Sequence, residues 1–144
     1  MGEDVIDRAV MVGNLPERSS VTKQLAIHGA IELPGADDPL YFYGSDRKYI
    51  EEIIKEDAHL AEKIHPSLNV IKAEVVWAAR AEMARTVEDV LARRTRALFL
   101  DAATSIQMAP AVARLLAKVL GQDELWQRQQ IADYTQLANG YRLL

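Results

Sequence analysis

The sequence predicts an all-α fold, a helical bundle of about five to seven helices behind an irregular N-terminal third. Three observations carry that expectation. Between Gly44 and Gly121 there is no glycine, and only Pro66 and Pro110 interrupt the chain, so little opposes continuous helix there. Apolar residues in that stretch recur at helical spacing, and Ser45, Thr86, Asp101 and Asp123 stand just ahead of the runs, where N-caps belong. Residues 1–44, by contrast, hold five of the seven glycines and three of the five prolines, the composition of connecting chain.

Taken in order, Asp4 to Met11 reads as a short helix, with Val5, Ile6, Ala9 and Val10 at helical spacing and Gly13 stopping it. Gln24–Ile27 and Leu40–Tyr43 are candidates for extended chain, neither long enough to make a sheet. Ser45 is placed to cap a helix from Asp46 to Asp57 with Tyr49, Ile50, Ile53 and Ile54 as its apolar stripe. A second short helix is expected over Ala58–Ile64, ended by His65-Pro66. From Asn69 to Ala84 two apolar arcs emerge, Val70, Trp77, Ala81 and Ala84 on one, Val75, Val76, Ala79 and Met83 on the other. A helix apolar on two sides is normally the central one.

Thr86 is the expected N-cap of a short helix through Arg94, with Asp89 at N3 as a weaker form of the capping box. Asp101 is expected to cap a helix ending before Pro110, and Pro110 suits the first turn of another, where Val112, Leu115, Leu116, Val119 and Leu120 follow helical spacing up to Gly121. Asp123 would cap a last helix carrying Trp126, Tyr134, Leu137 and Tyr141 on one face.

With 144 residues, 49% hydrophobic and 26% charged, the chain can enclose one core, so residues 1–144 are read as a single domain, 1–44 the irregular segment and 45–144 the bundle. Its net charge of −4 argues against nucleic acid as a partner. Cysteine is absent, which removes thiolate nucleophiles and sulfur-ligated metals and fits a reducing, cytoplasmic setting. Charged residues from Glu3 to Arg18 leave no secretory signal. The longest uncharged run, Ala102–Ala113, is too short for a transmembrane segment.

The chemistry-bearing patterns are sparse. Glycines at 2, 13, 29, 35, 44, 121 and 140 draw no G-x-G-x-x-G or Walker loop, so no cofactor is expected within this chain. Glu56-x-x-His59 is one E-x-x-H pair where a di-iron site needs two, with two further carboxylates, and His59 with His65 has no zinc-clamp spacing. No G-x-S-x-G elbow is present. The segment 80–96 stands out, with Arg80, Arg85, Arg93, Arg94 and Arg96 against Glu82, Glu88 and Asp89. Three readings remain open for it: internal pairing such as Asp89 with Arg93 at i, i+4, a docking surface for another domain, or a ligand phosphate.

At this stretch the sequence resembles a known family. Residues 64–102, and above all Glu82-Met83-Ala84-x-Thr86-x-Glu88-Asp89-x-Leu91-x-Arg93-Arg94-Thr95-Arg96 followed by Phe99-Leu100-Asp101, closely resemble the C-terminal domain of FAD-dependent glycerol-3-phosphate dehydrogenases and α-glycerophosphate oxidases. Weaker likeness extends to residues 2–7, His28-Gly29, Tyr43-Gly44-Ser45-Asp46 and the helix from Pro110 to Gly121. The resemblance implies a parent enzyme whose N-terminal domain binds FAD and oxidises glycerol 3-phosphate to dihydroxyacetone phosphate, peripheral on the cytoplasmic membrane where quinone is the acceptor. The family's flavin-binding and catalytic groups lie outside these residues, so none is carried over. The implied partner is that N-terminal FAD-binding domain of the same chain, with a homo-oligomer as a further possibility. Glu82, Thr86, Asp89, Arg93, Arg94 and Arg96 are the candidate interdomain or structural residues. The alternative is a free-standing helical adaptor without enzymatic activity.

Overall fold

The structure, a computed structural model, describes residues 2–31 and 38–142. It is largely helical. In chain order it contains α1 (Gly2–Val12), a 3-10 segment Tyr41–Asp46, α2 (Arg47–Glu56), a 3-10 turn Ala58–Ala61, β1 (Lys63–His65), β2 (Leu68–Ile71), α3 (Lys72–Ala81), a π-helical turn Asp89–Arg94, α4 (Ala97–Leu100), α5 (Ala102–Leu120) and α6 (Glu124–Asn139).

Helix α3 is central, as a helix apolar on two sides should be. Val75, Ala78 and Ala79 enter the larger core cluster with Val87, Val90, Leu91, Leu98, Met108, Val112, Leu116 and Tyr134. Ala73 and Val76 turn the other way, to Leu40, Tyr43, Ile50 and Ile53, with Trp77 against them. The division differs from the expected arcs, because Val70 belongs to β2 and Met83 and Ala84 lie beyond the helix end. Ala84 is fully buried, whereas Met83 is exposed and has φ of 61°.

Several expectations are corrected. The helix expected over Asn69–Ala84 begins only at Lys72, since Leu68–Ile71 pairs antiparallel with Lys63–His65 across a turn at Pro66-Ser67. The helix expected over Ala58–Ile64 stops as a 3-10 turn at Ala61 for the same reason. Val70 and Ile71 satisfy helical spacing by coincidence, and β-branched residues suit a strand at least as well. Leu40–Tyr43 is not extended but runs into the 3-10 segment, and Gln24–Ile27 forms no strand. Ser45 does not cap α2. Its amide instead donates to the Gly29 carbonyl at 3.0 Å, and α2 starts behind Asp46 without a side-chain cap.

Pro110 does not divide two helices either. It sits inside one continuous α5, on the exposed side, with Met108, Ala109, Val112 and Ala113 buried on both flanks. Packing of both halves on one core sustains the helix through the hydrogen bond that proline cannot make. At its start, Asp101 accepts from the Thr104 amide at 2.9 Å, and Gly121 ends it in the left-handed region with φ of 67°. Asp123 caps α6 through the Trp126 amide at 2.8 Å. α6 then packs along α5, where the buried Tyr134 hydroxyl donates to Ser105 Oγ at 2.9 Å. Tyr141 lies past the end of α6, exposed, edge-on to Phe99.

Candidate functional site

The arginine-rich segment is held by local hydrogen bonding that begins at Thr86. Its hydroxyl accepts from the Asp89 amide at 3.0 Å, and the Asp89 carboxylate accepts from the amides of Thr86 and Arg85, each at 3.0 Å. That reciprocal box satisfies the free donors at a helix start. Burial alone would raise the Asp89 pKa, but these bonds and the Arg93 guanidinium outweigh it and hold it below the usual range. Arg93 also pairs with Glu88 at 2.6 Å. The helix then widens to i→i+5 bonding, with the Thr95 amide reaching the Val90 carbonyl at 2.9 Å, a form that often marks functional positions.

A second knot forms at the end of α3. The Glu82 carbonyl accepts from Arg94 at 2.6 Å, and Arg94 Nε faces Glu82 Oε2 at 3.4 Å as an ion pair. Trp77 Nε1 donates to Glu82 Oε1 at 3.2 Å, while its ring stacks on Tyr49 of α2 at 5.6 Å. Burial lifts the Glu82 pKa against the pull of Arg94 and Trp77. Arg85 donates to the carbonyls of Ala79 and Ala84, and Gln130 of α6 takes the Val87 amide at 3.1 Å. Of the six candidates, Thr86, Asp89 and Arg93 meet in one knot and Glu82 and Arg94 in the other. Arg96 joins neither: it is exposed, in the left-handed region at φ 57°, and its side chain has no ion-pair partner among the described residues.

Sequence reasoning missed a buried acidic pair on the other side of α3. Glu74, 1% exposed, takes the Ile71 amide at 2.7 Å and the Tyr43 hydroxyl at 3.0 Å. Burial pushes its pKa to about 7 despite both donors. The signal was present as a glutamate three residues after the helix boundary, half of a capping box whose N-cap, Ile71, has no oxygen to return. Tyr43 shares its segment with Gly44, at φ 55° and ψ −128°, where an added Cβ would lie 1.9 Å from the Gly29 carbonyl oxygen. His28 Nε2 contacts Asp46 Oδ2 at 2.7 Å beside this crossing.

A cleft of about 710 Å³ opens between Tyr41-Phe42, the β-hairpin and Leu100, with Glu74 at its wall. Three helix N-termini among the described residues are closed to a pyrophosphate by the chain's own side chains. A pyrophosphate is normally cradled by free amides at a helix N-terminus approached through glycines, yet here the chain's own carboxylates occupy those positions, Glu74 at α3, Asp101 at α5 and Asp123 at α6. Among the described residues no three His, Asp or Glu side chains converge as metal ligands, since Glu56 is engaged by Arg80 and His59 by Glu62. No helix among them is long and apolar enough to cross a membrane.

The fold and these knots define a helical domain whose conspicuous charges are largely paired with one another. Residues 9–130 match the family of the C-terminal domain of alpha-glycerophosphate oxidase, and the chain belongs to that family. It is 29% identical to a probable mitochondrial glycerol-3-phosphate dehydrogenase of Caenorhabditis elegans, over 91% of this chain and 21% of that protein. It is 26% identical to the mitochondrial glycerol-3-phosphate dehydrogenase SDP6 of Arabidopsis thaliana, over 91% of this chain and 26% of that one. A glycerol-3-phosphate dehydrogenase of Synechocystis is 45% identical over 53 residues, 37% of the chain. The chain therefore spans about a quarter or less of the length of these relatives. No solved structure matches.

Proposed function

We propose that this chain is the C-terminal accessory domain of an FAD-dependent glycerol-3-phosphate dehydrogenase, which oxidises glycerol 3-phosphate to dihydroxyacetone phosphate, and that its work is to pack against the N-terminal catalytic domain. The observation that carries the reading is the family match over residues 9–130. The structure supports it on two counts. The N-termini of α3, α5 and α6 are taken by Glu74, Asp101 and Asp123, which agrees with FAD being held by the partner domain. The Glu82–Arg94 and Thr86–Asp89 knots hold the end of α3 and the π-turn in a fixed relation, which suits a rigid surface better than a mobile ligand loop. Arg96 is the residue on that surface free to reach an acidic group of the partner domain.

The test compares this chain with the longer parent polypeptide. The chain alone should retain no flavin after gel filtration and should not turn over glycerol 3-phosphate, while the parent does both. In the parent, Arg96→Ala should weaken activity or thermal stability without changing the melting of the isolated chain, because an interface arginine loses its partner only where the partner exists. Stoichiometric flavin on the isolated chain would overturn the reading.

A further inference from the structure

Ahead of residue 28 the chain follows a different rule from the body. Among residues 2–27 only Val10 is even partly buried, although Val5, Ile6 and Val12 are large and apolar, and Leu15, Val21, Leu25 and Ile27 are each more than half exposed. When α1 is wound at about 100° per residue, Val5, Ile6, Ala9, Val10 and Val12 share an arc of roughly 160°, with Glu3, Asp4, Asp7 and Arg8 opposite. Such a stripe is made to be covered. Among the described residues, His28 and Gly29 tie the chain to the body, where the His28–Asp46 contact, the Ser45 amide on the Gly29 carbonyl, and the close Gly29–Gly44 crossing form a clasp.

We infer that Gly2–Ile27 belongs structurally to the upstream catalytic part of the parent polypeptide, that the Val5–Ile6–Ala9–Val10–Val12 stripe of α1 docks on it, and that the border between the two units is the clasp at His28-Gly29. This inference rests on the reading above. The occupant follows from what lies outside the match: the family is that of a C-terminal domain, and the matched part is only 21% and 26% of the two long-matching relatives. The match opens at residue 9, inside α1, so residues 9–27 count with the C-terminal domain by sequence, although apart from the half-buried Val10 they are all exposed. A second copy of this chain is the weaker occupant. One helix of eleven residues offers a few hundred Å², well below the roughly 1,200–2,000 Å² of a stable interface. A covalently tethered domain needs no such area, because the link supplies a high effective concentration.

Amide hydrogen exchange on this chain and on the longer parent tests the inference. In the chain alone, residues 2–27 should exchange within about tenfold of an unfolded peptide while α5 is strongly protected, and in the parent the same residues should gain at least about 100-fold protection. The double substitution Ile6→Asp with Val10→Asp should leave the isolated chain's melting unchanged and abolish the added protection in the parent. Equal protection of residues 2–27 in both proteins would overturn the inference in favour of packing on the chain's own body. A concentration-dependent dimer of the isolated chain, broken by the double substitution, would overturn it in favour of a second copy. A parent that holds flavin and oxidises glycerol 3-phosphate while residues 2–27 stay unprotected sinks the docking inference alone. A parent that does neither sinks the reading on which it rests.

Discussion

Helices α1 and α3 are close in length and opposite in fate. α1 has most of its apolar residues on one side and its charges, with Met11 among them, on the other, and buries nothing. α3 is apolar on nearly every side and lies between two core clusters, with six of its ten residues buried. A one-sided pattern says that a helix wants a single partner, whereas an all-round pattern says that it is enclosed. The contrast teaches that periodicity predicts the helix in both cases, while burial depends on whether the covering surface is within the same chain segment. The helical body supplies its own; the N-terminal segment does not.

The contrast should be starkest for a large core side chain. Leu116, fully buried in the larger cluster, should lose about 2–5 kcal/mol when changed to alanine, the usual range for a buried leucine. Urea unfolding measures it. A loss below about 1 kcal/mol would mean that the body is packed no better than the segment ahead of it.

Next comes Glu74, whose pKa is lifted by burial from 4.5 to about 7. The folded state holds the proton more tightly than the unfolded one, so stability from this residue is greatest at acid pH and falls as pH rises from about 4.5 through about 7. The change amounts to some 3 kcal/mol at most. Glu74→Gln keeps the shape and should flatten that slope, leaving the variant more stable than the parent sequence at pH 8. Parallel pH profiles for the two proteins would show that Glu74 is not the titrating group.

The clasp between the two regions should rank third. Gly44→Ala forces a Cβ against the Gly29 carbonyl oxygen at a backbone conformation that only glycine adopts readily, costing about 1–3 kcal/mol. Thermal melting reads this, and Gly121→Ala is the useful control: it has a positive φ too, but open space around the added Cβ, so it should cost about 1 kcal/mol. Equal losses would show that the close crossing adds nothing to the strain.

Thr86→Ala should cost about 1 kcal/mol, the loss of an N-cap oxygen, or roughly 3–5 °C in melting temperature, with Thr86→Ser costing much less. If alanine and serine are equally harmless in urea, the Asp89 carboxylate alone sustains the box. Val5→Ser, on the exposed stripe of α1, should fall within about 0.5 kcal/mol of zero in the isolated chain. A larger loss would place α1 against the body and erase the comparison.

The parts of the fold legible in the sequence are those made by short-range hydrogen bonds. Asp101, Asp123 and Thr86 cap the helices ahead of which they stand, and Gly121 terminates α5, because each needs only neighbours within four residues. The hairpin escaped because Leu68–Ile71 is apolar at a spacing that suits helix and strand alike, and only pairing with Lys63–His65 decides between them. Ser45 escaped because α2 starts at Arg47, one residue later than expected, leaving Asp46 and not Ser45 at the cap position. In the candidate site the Asp89–Arg93 pair was readable from i, i+4 spacing, but Arg94 with Trp77 around Glu82, and Glu74 with Tyr43, join segments that only folding brings together.

By itself, then, the sequence determined the helical class, the capped ends of α5 and α6, the central place of α3 and the reciprocal box at Thr86, which follow from composition, periodicity and local donor–acceptor spacing, while the family was legible from the resemblance of residues 64–102. The tertiary structure decided the rest. It made one helix of α5 across Pro110, since burial on both flanks outweighs one missing hydrogen bond. It turned Leu68–Ile71 into a strand, buried a carboxylate at Glu74 and engaged four of the five arginines of residues 80–96, leaving Arg96 without an ion-pair partner among the described residues. Those outcomes depend on which distant groups meet, and the free energy of a meeting belongs to the pair and not to either partner alone.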